Sequence, residues 1–296
     1  MIRPAFSTVA CPDWTIRQAI EAAELFGYLG VEWRTLGSGS GDFACEPFLT
    51  DPAKQVLMHR RAGVVPCCLA TSLRYDHRPT PAILGEITFD RDKPIRATRE
   101  AVALAAELGC PFVRVFAFEV RPRETRARAV RRISENLALA LATARHSGVR
   151  LLLENGGSFN TSADLIELID AQRNSLLAAA YNPAAALLAG EDPADGVRRL
   201  GDRLQIVKLK DYRDGRPCPL GQGDLRVDAV LRTLLDLGFD GWAVYEYDRA
   251  WLPEQARAGL PTTAQMLSIA AERIYEVIGG SARRDRRRRD THAVVA

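Results

Sequence analysis

Eight short apolar runs, each followed by a longer charged stretch of helical periodicity, govern what this chain can fold into. The runs lie at 4–10, 30–34, 64–70, 112–116, 150–154, 176–181, 204–210 and 242–247. Helical segments follow at 13–26, 51–61, 93–108, 124–147, 162–171, 193–200, 227–237 and 262–278. In the first, Ile16, Ala19, Ile20 and Ala23 recur on one helical face. Gly109 and Gly148 are placed to stop the third and fourth helices. Strand–helix alternation makes parallel strands joined by crossover helices. Eight units in series predict an α/β fold of the (β/α)8 barrel (TIM barrel) type. A doubly wound sheet is second choice, because no glycine-rich dinucleotide turn follows the first run.

Composition sets the remaining bounds. At 296 residues, 47% hydrophobic and 26% charged, the chain can bury one sizeable core. No apolar run nears the ~20 residues that cross a bilayer, and the first residues lack a signal-peptide layout. A cytoplasmic protein is therefore expected, with a small-molecule substrate and no membrane partner. Six cysteines without a C-x-x-C pair read as reduced thiols. The net charge of +3 is carried by the C-terminus, where residues 281–296 hold six Arg and two Asp. The expectation is a barrel over 1–280 of near-neutral charge, with a solvated, disordered basic tail over 281–296. Nucleic acid is not the expected partner of that tail.

Barrel sites are built at the C-terminal ends of the strands. Four apolar runs end in charge there: Glu32 with Arg34, Glu154 with Asn155, Lys208 with Lys210 and Asp211, and Glu246. Two carboxylates flanking a carbon can remove a proton on one face and return it on another, which makes Glu154 and Glu246 the catalytic candidates. Arg34 and Arg114 are candidates for holding substrate anions or hydroxyls, as are Ser72 and Arg74, with Thr71 and His77 nearby. Each arginine has an alternative role as a barrel-end ion pair. Trp14 and Phe116 could stack on an apolar ring face or simply pack.

These runs bring a known family into view. Ala10-Cys11-Pro12-Asp13-Trp14, Gly30-Val31-Glu32-Trp33-Arg34 and Val113-Arg114-Val115-Phe116 resemble, in order and spacing, the sugar-phosphate isomerase/epimerase superfamily. So do Leu153-Glu154-Asn155, Lys208-Leu209-Lys210-Asp211, Leu220-Gly221-Gln222-Gly223 and Tyr245-Glu246-Tyr247. The superfamily comprises the xylose-isomerase-like barrels, among them inosose dehydratases, tagatose epimerases and hydroxypyruvate isomerases. The resemblance spans about residues 3–280 and implies an isomerase, epimerase or dehydratase, often dimeric or tetrameric. It further implies one divalent metal (Mn, Mg, Co or Zn) held by Glu, Asp, His and Glu on the last four strands.

Glu154 and Glu246 match the first and last of those ligands. Asn182 stands at the Asp position, Ala185 where an accompanying His is usual, Lys208 at the His position, and Gly156 where a further His often follows. An ammonium has no lone pair for a metal, and a neutral amide is a weaker ligand than a carboxylate. The expectation is therefore a metal-independent site in which Lys208 is a third catalytic residue, supplying the positive charge between Glu154 and Glu246 and holding a substrate oxyanion, with Asn182 and Lys210 binding substrate. Two alternatives stay open: a retained metal on Glu154, Asn182 and Glu246, and a non-catalytic binding remnant. Lys208 has two conceivable roles, electrostatic stabilisation of an enolate or a Schiff base, and flanking carboxylates favour the first. A DNA-repair endonuclease of the same barrel type needs a three-zinc cluster, which histidines at 59, 77, 146 and 292 cannot build.

Overall fold

The apolar runs become strands that close on one another. The computed structural model describes residues 1–37, 40–77 and 93–279. The basic tail expected at 281–296 lies wholly outside them. Eight parallel strands form one closed barrel: β1 (Ile2–Ser7), β2 (Gly30–Arg34), β3 (Val65–Arg74), β4 (Phe112–Phe118), β5 (Arg150–Gly157), β6 (Leu177–Tyr181), β7 (Leu204–Leu209) and β8 (Gly241–Tyr245). Closure comes from β1 lying beside β8, with Ile2 opposite Gly241 and Phe6 opposite Tyr245. The helices are α1 (Ile16–Phe26), α2 (Pro52–Ala62), α3 (Lys93–Leu108), α4 (Arg126–Thr143), α5 (Ser162–Gln172), α6 (Pro183–Leu188), α7 (Pro193–Leu200), α8 (Val227–Asp236), α9 (Glu254–Arg257) and α10 (Thr263–Ile278).

Side chains alternate across each strand, so one parity faces the helices and the other fills the barrel. Ala5, Phe112, Leu152, Ala178, Ala180, Ile206, Trp242 and Val244 form the interior cluster, apart from the larger core between strands and helices. Two residues further along the same strands, the same parity delivers Arg114, Glu154, Asn182, Lys208 and Glu246. The aromatic side chains of Trp242 and Phe112 fill the lower barrel, while the alanines of β6 leave room for long polar chains above. One alternation thus makes both the apolar plug and the polar floor over it.

Element ends differ from expectation for local reasons. α4 stops at Thr143, not near Gly148, because the chain turns with His146 in the left-handed region at φ 61°. β3 runs on to Arg74 through an irregularity after Ala70. There the Arg34 guanidinium donates to Ala70 O at 3.4 Å and Thr71 O at 3.3 Å. α6, α9 and a two-residue hairpin (Tyr212–Arg213 with Arg216–Pro217) were not anticipated, being too short for periodicity to register. All six cysteines are free and five are buried. Among the described residues, no helix is long and apolar enough to cross a membrane.

Candidate active site

A cavity of about 290 Å³ opens at the C-terminal end of the strands. Arg34, Arg114, Phe116, Glu154, Asn182, Lys210 and Glu246 line it, together with Val9, Asp248 and Trp251. Most of the residues predicted from strand ends therefore converge. Lys208 does not reach the wall. It is 1% exposed, and its ammonium lies beneath the cavity, enclosed by carboxylates.

Glu32 is the closest of these, contacting Lys208 Nζ through both carboxylate oxygens. Glu246 Oε1 lies 3.2 Å and Glu154 Oε2 4.0 Å from the same nitrogen. Burial disfavours the charge on this lysine, but Glu32, Glu246 and Glu154 outweigh it, so its pKa stands above the ordinary lysine value. Lys210, two residues on, reaches the cavity wall and meets Glu246 Oε2 at 3.1 Å and Asp248 Oδ2 at 3.2 Å. Burial opposes its charge too, and Glu246 with Asp248 reverses the effect and raises its pKa. Glu246 consequently sits between two ammonium groups. Burial pushes its carboxyl up, but Lys208, Lys210 and Arg114 hold it well below the usual carboxylate range.

Glu154 has a different environment. Arg114 Nε lies 3.2 Å from Glu154 Oε2 but is not aligned to donate, so among the described residues that oxygen has no hydrogen-bond partner. Its other oxygen accepts a long 3.4 Å bond from Asn182 Nδ2. Asn182 Oδ1 caps α6 by accepting from Ala185 N at 3.3 Å, and Asn155 Oδ1 holds Asn182 N at 2.6 Å. Asn155 thus ties the end of β5 to the end of β6.

Ser72 accepts from Arg34 Nη2 at 3.2 Å, outside the cavity wall. Arg74 is not brought to the site. Its guanidinium pairs with Asp76 at 2.8 and 2.6 Å and lies over the Phe118 ring. Trp14 is also absent from the wall, whereas Phe116 is part of it.

Three contributors escaped the sequence reading of site roles. Glu32 was visible as a polar strand end, yet nothing marked it as the main partner of Lys208. Asp248 and Trp251 lie in a four-residue 3-10 turn after β8, too short for spacing to carry facing information. Tyr212 Oη donates to Asp248 Oδ2 at 2.6 Å, and Trp251 Nε1 donates to Val9 O at 2.9 Å. Asp211 supports this side of the site. Its carboxylate accepts from the backbone N–H groups of Tyr212 (3.0 Å), Gly221 (2.9 Å), Gly223 (2.9 Å) and Leu225 (3.2 Å). A Cβ at Gly223 would stand 2.2 Å from Asp211 Oδ1, which is why glycine is needed there.

Comparison with known proteins places this geometry. Residues 20–267 match the family model of the xylose isomerase-like TIM barrel. Among solved structures the fold is similar to the IOLI protein with a binding zinc atom, at TM-score 0.75 and 16% identity over 93% of this chain and 98% of that chain. It is similar to L-ribulose 3-epimerase at TM-score 0.74 and 16% identity, covering 100% of this chain and 99% of that one. A D-psicose 3-epimerase from Clostridium cellulolyticum H10, solved with D-tagatose, gives 0.74 and 13% over 93% and 99%. At such identities the likeness is one of fold. No curated protein sequence matches significantly.

Proposed function

The chain belongs to the xylose isomerase-like TIM barrels, and from that premise we propose that it is an isomerase or epimerase of a small sugar, polyol or related carbonyl compound. It moves a proton on a carbon beside a carbonyl, using Glu154 and Glu246, without a divalent metal. The observation that carries this reading is the Lys208 ammonium lodged 3.2 Å from Glu246 and 4.0 Å from Glu154, at the floor of the cavity both carboxylates line.

The residues present do not fit the family's divalent ion. Of the four ligand positions only Glu154 and Glu246 keep a carboxylate, and Asn182 Oδ1 is engaged by the N-terminus of α6. Among the described residues, no group of three or more His, Cys, Asp or Glu side chains is disposed to hold a metal. Lys208, Lys210 and Arg114 stand around the two carboxylates, so an added dication meets three fixed positive charges.

The two carboxylates divide the work unequally. Glu154 Oε2 has lone pairs uncommitted to any donor, which suits it to take the proton from carbon. Glu154, protonated by that step, returns the proton to the enolate carbon skeleton. Glu246, held ionised by both lysines, accepts a hydrogen bond from a substrate hydroxyl on the β8 side and orients the substrate. The enolate oxygen formed between them meets Lys210 in the wall, a preorganised positive charge of the kind that stabilises developing anions. Lys208 acts from below as a positioning residue, fixing Glu246 and Glu32 in a buried array. Its raised pKa favours a permanent ammonium over a free amine, which disfavours a Schiff base.

Solvent deuterium incorporation beside the carbonyl, followed by NMR over a panel of keto-sugars and keto-sugar acids with chelator present, tests the reading. Wild-type protein is expected to incorporate deuterium, and Glu154→Gln and Glu246→Gln to lose at least about 100-fold in rate. Incorporation that needs an added divalent ion, or that survives either substitution, would overturn it. So would stoichiometric metal in protein purified without chelator.

A further inference from the structure

The charges around the cavity pair off on one side only. Lys208 is matched by Glu32, and Lys210 by Glu246 and Asp248, which leaves the β7–β8 side negative overall. Opposite, Arg114 faces Glu154, while Arg34 has no carboxylate within ion-pair distance among the described residues. Among the described residues, the Arg34 guanidinium bonds to the carbonyls of Ala70 and Thr71 and to the Ser72 hydroxyl. Burial and the like charge of Arg114 hold its pKa below the ordinary guanidinium value, outweighing the more distant Glu32, Glu154 and Glu246. Burial opposes the Arg114 charge as well, but Glu154, Glu32 and Glu246 outweigh it and raise its pKa, so Arg34 is the arginine left short of an anion.

Arg114 adds an independent sign. It is 4% exposed, yet among the described residues its Nε and Nη1 have no hydrogen-bond partner. The guanidinium lies 4.4 Å over the Phe116 ring, and of its unspent donors Nε stands beside Glu154 while Nη1 has no carboxylate against it. Buried donors are almost always satisfied, and an exception next to a cavity points to a missing ligand atom.

We propose that the substrate carries a carboxylate, bound at the Arg34–Arg114 end of the cavity, with its reacting carbon toward Glu154 and Glu246. A planar carboxylate fits a guanidinium fork, and a single negative charge balances the one unpaired arginine. A phosphate dianion would bring a second charge that nothing on that side neutralises. The substrate class is therefore a hydroxylated 2-oxo acid rather than a neutral ketose. The class of reaction that supplies it is oxidation of a polyol or aldose derivative to the acid level. This inference rests on the proposed proton transfer for its choice of reacting carbon, but the carboxylate subsite stands on the arginines alone.

Two probes isolate the carboxylate. 2-Oxo-D-gluconate and D-fructose share their chain from C2 to C6 and differ at C1, carboxylate against hydroxymethyl. Calorimetric titration of the full chain is expected to give tighter binding of the acid by about 10- to 100-fold. Arg34→Gln and Arg114→Gln are each expected to bring the ratio near one, with circular dichroism confirming the fold. Arg34, being less buried, serves if Arg114→Gln does not fold. A ratio near one in the wild type, binding of neither probe at tens of millimolar, or an unchanged ratio in Arg34→Gln overturns the proposal. Tighter binding of D-fructose 1-phosphate than of the acid overturns it in favour of a phosphate subsite. Glu154→Gln separates the two ideas, since it is expected to keep the acid preference while losing deuterium incorporation. A wild-type acid preference without any incorporation would leave the subsite standing and remove the proton-transfer reading.

Discussion

At the scale of single residues, the buried charge array has consequences for stability. Lys208 and Glu32 have fully buried side chains and contact one another directly. Removing one member of such a pair leaves the other charged and unsolvated, whereas replacing both with apolar groups can cost little. Lys208→Met is expected to lose about 3–5 kcal/mol in urea unfolding, and Glu32→Leu with Lys208→Met to recover part of that loss. Recovery stays partial because Glu246 and Glu154 also face the lysine. Strict additivity of the two substitutions would count against the pairing. Glu154, Glu246 and Lys208 could be placed from sequence because each follows an apolar strand at fixed parity. Glu32 shares that parity, but which cation it meets depends on side-chain reach across the barrel, and no spacing within one strand encodes that. Arg74 illustrates the converse: a polar residue near a strand end that Asp76, two positions on, turns away from the cavity.

At the scale of elements, two supports can be tested. The loop between β7 and α8 hangs on the Asp211 carboxylate and its bonds to Tyr212, Gly221, Gly223 and Leu225 N–H groups. Asp211→Ala is expected to cost about 2–4 kcal/mol and to speed amide hydrogen exchange across the loop, releasing Tyr212 from Asp248. Exchange rates that stay at wild-type values would refute that role. The second support joins α2 to β2. Trp33 Nε1 donates to His59 Nε2 at 3.0 Å, so the ring is neutral and its Nδ1 donates to Val64 O at 2.9 Å. Burial lowers the His59 pKa from 6.5 to about 4. Between those values the unfolded chain binds a proton that the folded chain refuses, so stability is complete above pH 6.5 and falls as pH drops toward 4. The loss amounts to about 3 kcal/mol, and His59→Gln is expected to flatten the slope of unfolding free energy across that range. An unchanged slope would assign acid sensitivity to other groups. Strands and long helices were legible because burial imposes a period, and β2, α3 and α7 have the limits expected of them. α6 and the hairpin were not, since a capped turn of six residues or a pair of two-residue strands shows no period at all.

At the scale of the whole molecule, closure decides which parts of the chain are indispensable. β1 completes the barrel by pairing with β8 on one edge and β2 on the other, and Phe6 contacts Tyr28 at 5.2 Å between ring centroids. Without it two strands expose unpaired edges and the interior cluster loses Ala5, so the barrel has no partial form to settle into. α10 closes the outer layer: Tyr275 Oη donates to Gly27 O at 2.7 Å, and Tyr28 Oη donates to Leu267 O at 2.8 Å. That helix ends at Gly279, whose φ of 70° caps it in the left-handed conformation. Removal of residues 1–7 is therefore expected to abolish cooperative thermal unfolding and near-ultraviolet circular dichroism. A chain ending at Gly279 is expected to keep its unfolding midpoint within about 2 °C of the full protein, and to keep its affinity for 2-oxo-D-gluconate. A larger drop on removing the basic segment would mean that the barrel does not end where α10 does, and that the arginine-rich residues contribute to the folded domain.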